Sequence, residues 1–191
     1  MTRVISSAFF NRPTLLVARE LLGCFLCRKI GKRVIRLMIT EVEAYDGPKD
    51  KASHAHRGRT PRNAPMFGEA GKWYVYFTYG VHWMLNIVTG QIGYPAAILI
   101  RGGVLSCGGL TSAKGEIRGP ARLTKALKID YKLNNKRATR RNGLWIEQGD
   151  FYTNKKIQRT ARIGVPYAHE WAKRPYRFLL KSANQVNVEY S

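Results

Sequence analysis

The sequence predicts an α+β fold with a mostly antiparallel sheet in a single domain. Three observations carry this: short alternating runs joined by glycine-bearing turns, a few helical stretches, and 191 residues with no interdomain linker or internal repeat. A chain of this length buries roughly 70% of the surface its unfolded form exposes, so one core suffices. With 45% hydrophobic and 11% aromatic residues, the composition excludes collagen-like, low-complexity and disordered chains.

Thr14 to Leu22 reads as a helix, with Pro13 in its first turn, Leu15, Ala18, Leu21 and Leu22 on one side, and Gly23 as the stop. Cys24 to Ile30 and Val34 to Tyr45 are strand-like and separated only by Gly31, Lys32 and Arg33, a hairpin signature. In the second run Ile35, Leu37, Ile39, Glu41 and Glu43 share one parity, so two carboxylates end an otherwise apolar face. From Asp46 to Gly71 no helical or strand period is sustained, and such a stretch inside a compact domain is either functional or disordered. Trp73 to Phe77 and Val81 to Val88 alternate around the bend Thr78, Tyr79 and Gly80. Trp73, Val75 and Phe77 are expected to face the core, which puts Tyr74, Tyr76 and Thr78 on the working face. Ala96 to Arg101 is a further strand, and Gly119 and Pro120 open a helix reaching Lys128 with Leu123, Ala126 and Leu127 inward. Strands are also expected at Leu144 to Glu147, Ile157 to Val165 and Tyr176 to Lys181.

Charge is where the composition departs from the ordinary. Against 33 Lys plus Arg stand 12 Asp plus Glu, a formal net charge of +21. Residues 1–103 carry 15 basic and 6 acidic groups and residues 104–191 carry 18 and 6, so the excess covers the whole fold. Such self-repulsion points to a polyanionic partner, nucleic acid first and an anionic membrane surface second. Lys136 to Arg141 is a local basic cluster expected on a loop or helix face, whose bland reading is a solvated surface.

No apolar run is long enough for a membrane-spanning helix, and no membrane partner is expected. Met1 to Phe10 is too short for a secretory segment. Three cysteines, Cys24, Cys27 and Cys107, suit a reducing compartment. Cys24 and Cys27 form a CxxC without a second pair, inside a strand where they point to opposite faces, which disfavours a zinc or redox role. His54, His56, His82 and His169 form no HExxH, and no GxSxG, Walker A or GxGxxG occurs, so neither metal nor cofactor is expected.

Glu43 and Glu41 are the acid or base candidates, because a carboxylate ending an apolar strand face is partly desolvated and can be held against a water. An edge position paired with one of the many arginines explains them equally well from spacing alone. Tyr45, Trp73, Tyr74, Tyr76, Tyr79, His82 and Trp83 surround, in sequence, a basic loop holding Arg57, Arg59 and Arg62. Aromatic faces beside arginines suit a site that stacks an unpaired base and holds the flanking phosphates, with core packing as the plainer alternative. Tyr79, at a tight bend, has the character of a wedge pushed between base steps.

The string Glu41, Val42, Glu43, Ala44, Tyr45, Asp46, Gly47, then Ser53, His54, Arg57 to Asn63, Met66 and Phe67, then Tyr74, Val75, Tyr76, Tyr79, Gly80 and Asn86, resembles the alkyladenine (3-methyladenine) DNA glycosylase family. Ala18 to Gly23, Arg101, Gly119, Pro120, Leu123 and Ala126 to Leu127 extend the resemblance. It thins after Lys128 and returns around Arg162 to Val165 and Pro175 to Phe178. What the resemblance implies is a base-excision-repair enzyme whose single domain, residues 1–191, carries a curved antiparallel sheet, flanking helices and a protruding β-hairpin that enters the DNA minor groove. Its substrates would be double-stranded DNA containing damaged purines: 3-methyladenine, 7-methylguanine, hypoxanthine or ethenoadenine.

The resemblance also implies roles. Glu43 would activate the attacking water with Arg101 at the same water site, Tyr45 and Tyr76 would sandwich the flipped base, and His54 would edge the pocket. Asn86 would gate it against normal guanine, Tyr79 would fill the gap left in the duplex, and Arg59 and Arg62 would serve the DNA backbone or the pocket loop. No lysine falls in the matched pocket blocks, so a monofunctional glycosylase without lyase chemistry is expected, acting as a monomer. It would be cytoplasmic or nucleoid-associated in a prokaryote and nuclear in a eukaryote. The alternative is a non-catalytic basic nucleic-acid-binding protein, which explains the charge but not a carboxylate among the tyrosines.

Overall fold

A computed structural model describes residues 2–107, 110–150 and 152–181. Among the described residues nine strands form one curled antiparallel sheet: β1 (Phe25–Ile30), β2 (Arg33–Asp46), β3 (Trp73–Thr78), β4 (His82–Val88), β5 (Ala96–Cys107), β6 (Leu110–Arg118), β7 (Leu144–Glu147), β8 (Ile157–Thr160) and β9 (Arg177–Leu180). The strand order is β3-β4-β5-β2-β1-β7, with β6 on β5 and β9 joining β2 to β8. Helices α1 (Ser7–Phe10), α2 (Thr14–Glu20) and α3 (Pro120–Ala126) flank it.

Two long central strands set the architecture. Along one edge of β2, β1 covers Arg33 to Met38 and β9 takes over from Glu41 to Glu43. Along the far edge of β5, β4 covers Ala97 to Leu99 and β6 takes over from Gly102. Both strands thus change partners at the same level, and the sheet forks there. The β2–β5 register also slips at that level, between Ile39, Glu41 and Val42. Opposite this bulge, a Cβ on Gly103 would overlap the Met38 carbonyl and the Leu37 side chain, so only glycine lets the two backbones approach.

The bulge overturns the uniform parity expected of β2. Leu37 and Ile39 enter the core, and so do Val42 and Ala44, which means the inward face switches from odd to even positions at the slip. Glu41, Glu43 and Tyr45 therefore leave the apolar face and point to the other side of the sheet. α2 packs Val17 and Ala18 on the core side, and Trp73 is fully buried there with its indole N–H on the Leu144 carbonyl at 3.2 Å.

Further expectations change. On α3, Leu123 and Leu127 enter the core as expected, but Ala126 is exposed. Phe77 is 43% exposed, because the β3–β4 hairpin projects past the core at that point and leaves its ring against Trp83 at 4.6 Å. β5 runs on to Cys107 and pairs with β6, whose polar sequence gave no alternation since it lies on β5 alone. β8 stops at Thr160, and residues 161–165 leave the sheet for the site described next. α1, a single turn, carried no periodic signal.

Candidate active site

Glu43 lies in the middle of β2 between β5 and β9, and its side chain is wholly removed from solvent. Its Oε1 accepts the Ile163 amide N–H at 2.8 Å, and its Oε2 accepts the Tyr45 hydroxyl at 3.0 Å with Arg101 Nη1 at 3.4 Å. A carboxylate has about four acceptor positions. Among the described residues these three groups are its partners. Burial raises its pKa, and the Arg101 charge, the Ile163 amide and the Tyr45 hydroxyl pull back against that rise.

Glu41, one pleat away, accepts Arg101 Nε at 2.8 Å and Arg177 Nε at 2.7 Å on the same oxygen. Two guanidinium groups engage it, so its place is that of an anchor. Arg101 spans the two carboxylates from β5.

In front of Glu43 opens a cavity of about 200 Å³. One water needs only about 10–15 Å³ on this measure, so a flat polyatomic ring is admitted. Tyr45, His54, Tyr76, Tyr79, Asn86 and Arg101 all line it, and the structure therefore brings together six of the residues that sequence singles out, with Glu43 directly behind its wall. Asn86, opposite Tyr74 in the β3–β4 ladder, is buried and donates from Nδ2 to the Tyr74 carbonyl at 3.1 Å. The His54 ring stands edge-on to Tyr76 at 4.6 Å, and its Nδ1 lies 3.0 Å from the Tyr74 hydroxyl. Desolvation against that wall, aided by the Arg62 charge, lowers the His54 pKa and keeps its ring neutral near pH 7.

Tyr79 stands at the hairpin tip, 86% exposed, at φ 52, a left-handed conformation that a bulky residue seldom adopts. Gly80 follows at φ 66, and Val81 is also exposed. Arg62 and Arg59 do not line the cavity. Arg62 buttresses it from outside, donating to the Phe77 carbonyl at 2.9 Å with its Cζ 5.3 Å from the Tyr76 ring centroid. Arg59 lies over Phe67 at 5.8 Å.

Tyr74 and Thr78, expected on the working face, line the cavity as well, whereas sequence reasoning missed Tyr167 and the segment Ile163 to Val165 as its walls. For the last, the returning resemblance around Arg162 to Val165 was the available signal. Part of the Lys136–Arg141 cluster is neutralised at home: Arg137 pairs with Glu69, and Arg140 with Glu147 at 2.8 Å. Cys24 and Cys27 are buried thiols whose pKa values burial pushes up to about 11 and about 12.

The family profile and the relatives that follow belong to one class, the DNA glycosylases. The family profile described as Methylpurine-DNA glycosylase (MPG) matches residues 8–184. A protein of Methanocella arvoryzae is 43% identical, with 96% of each chain covered, and one of Carboxydothermus hydrogenoformans is 41% identical, covering 94% of this chain and 96% of its own. A third, from Legionella pneumophila, is 40% identical over 94% of this chain and 95% of its own. All three are named for an inferred 3-methyladenine DNA glycosylase activity. The chain belongs to the methylpurine-DNA glycosylase family.

Proposed function

We propose that this protein extrudes alkylated or deaminated purines from duplex DNA and hydrolyses the N-glycosidic bond with a water activated by Glu43, leaving an abasic site. The observation that carries the reading is Glu43 itself, a buried carboxylate with raised pKa, held by the Ile163 amide, the Tyr45 hydroxyl and Arg101 behind the wall of an aromatic cavity. A water there gives its proton to Glu43 as its oxygen attacks the anomeric carbon, and the carboxylate opposes the oxocarbenium charge that develops on the sugar. Arg101 fixes that carboxylate from the other side.

Tyr45 and Tyr76 offer the faces on which the base stacks. A neutral His54 that accepts the Tyr74 hydroxyl proton at Nδ1 has its Nε2 proton free for a base acceptor. Asn86, held by the Tyr74 carbonyl, is a fixed obstacle at the cavity floor, suited to rejecting an exocyclic amine. Tyr79 enters the duplex from the minor groove and occupies the space the base leaves, and its exposure at the hairpin tip supports this. Extrusion costs a few kcal/mol, least where pairing is already damaged. No lysine lines the cavity among the described residues, which supports hydrolysis over Schiff-base chemistry. Residues 1–191 then work as one DNA glycosylase domain.

The deciding experiment incubates the protein with duplexes containing hypoxanthine, 3-methyladenine, 7-methylguanine or ethenoadenine and measures free base. Release from at least one supports the reading, and tight binding without release from any makes the protein a non-catalytic binder.

A further inference from the structure

Asp50 and Arg162 form an ion pair with both side chains at 0% exposure, and the proposed chemistry makes no use of either. Two hydrogen bonds join them, Arg162 Nη1 to Asp50 Oδ2 at 2.5 Å and Nη2 to Oδ1 at 2.8 Å. The same nitrogens also reach the Ala44 carbonyl at 2.8 Å and the Trp171 carbonyl at 3.2 Å. Asp50 in turn accepts the Asp46 amide at 3.2 Å and the Ala52 amide at 3.1 Å. One buried pair therefore ties the end of β2, the loop after it, and the segment following β8.

Stability alone does not account for it. Desolvating two charges is expensive, and apolar residues of similar volume hold a fold as well or better. Nε of Arg162, moreover, finds no partner among the described residues, a buried donor whose desolvation is a further cost. What that plane touches is the site. Its Cζ lies 4.8 Å from the Tyr45 ring centroid, and the next residue along the chain is Ile163, whose amide donates to Glu43.

Resting on the glycosylase reading above, we propose that the Asp50–Arg162 pair is the positioning device of this site: it sets the Ile163 amide against Glu43 and the Tyr45 ring against the cavity. Arg162 touches neither base nor sugar on this view and acts through its two neighbours. Only a guanidinium performs the task, since its planar fork meets four acceptors at once and an ammonium cannot. Glu41, Tyr45, Tyr76, Arg101, Arg162 and Tyr167 are the charged or titratable groups whose fields reach Glu43 from the surrounding elements. Arg177, opposite Glu43 in the ladder, is engaged by Glu41.

The test uses Arg162→Lys and Asp50→Asn in the full chain, with single-turnover excision of hypoxanthine measured against pH and thermal melting recorded alongside. A misplacement of about 1 Å costs about 10²-fold in rate. The expected result is a loss of that order at saturating enzyme, with the acidic limb of the profile displaced to higher pH and the affinity for undamaged duplex within about threefold of the parent. An unmoved limb, with activity lost only in proportion to unfolded protein, overturns the proposal.

Should neither variant fold, the parent protein still decides. The amide proton of Ile163 must shift in an NMR titration as Glu43 protonates, and a flat amide overturns the proposal. Failure of the underlying reading looks different, because the parent itself then releases no base.

Discussion

Tyr45 donates its hydroxyl to Glu43 at 3.0 Å across two residues of one strand, so the ring that walls the cavity and the carboxylate behind it are joined as one unit. Strand geometry makes this possible, since residues two apart share a face. Burial, with the neighbouring carboxylate, holds the Tyr45 hydroxyl protonated, so it has a proton to donate to Glu43.

Replacing Glu43 with Gln should remove most excision. Acid–base assistance contributes about 10²–10⁴-fold, and single-turnover release of hypoxanthine should fall by that order. Duplex affinity, measured by gel shift, should stay close to that of the parent, because the side chain is out of reach of the phosphates.

The pH profile follows from the direction of the Glu43 shift. A base must be ionised to accept a proton, and this one has a pKa raised above its ordinary 4.5, chiefly by burial. Excision should therefore fall as pH drops through a value above 4.5, and the Arg101→Met variant, which loses an opposing charge, should show that fall at still higher pH. A limb that stays in place in Arg101→Met would assign it to another group.

Tyr79→Ser should impair extrusion far more than general affinity. Fluorescence of 2-aminopurine placed beside the lesion reads base unstacking directly. An undiminished signal in the variant would remove the wedge role.

Binding should depend steeply on salt. If about six to ten of the basic groups neutralise phosphates, the affinity for undamaged duplex falls ~10³–10⁵-fold between 50 and 200 mM salt. Fluorescence anisotropy of a labelled duplex measures the slope, and a flat response would mean that the +21 serves another purpose.

Much of the fold was legible in the sequence. Gly31 to Arg33 and Tyr79 with Gly80 mark two hairpins, Pro13 and Pro120 mark two helix starts, and the structure has α2, α3 and β1 to β4 close to where these signals put them. The bulge in β2 was not legible, because period-2 reasoning assumes an unbroken ladder, and Gly103, which permits the slip, lies more than sixty residues downstream. Of the site, Glu43 and the aromatic residues stood out by residue type. Ile163 did not, since it contributes through its backbone, and a main-chain N–H leaves no trace in the side-chain pattern.

That long reach has a consequence for how the protein comes into being. The bond from Ile163 to Glu43 closes across 120 residues, and β9 meets β2 only near the end of the described chain. Contacts so distant in sequence form late, after shorter loops have closed. During synthesis the hairpins and the loop after β2 emerge first, so Glu43 meets its Ile163 partner only once the segment after β8 has been made. The surroundings of Glu43 are thus completed last, as β9 docks on β2.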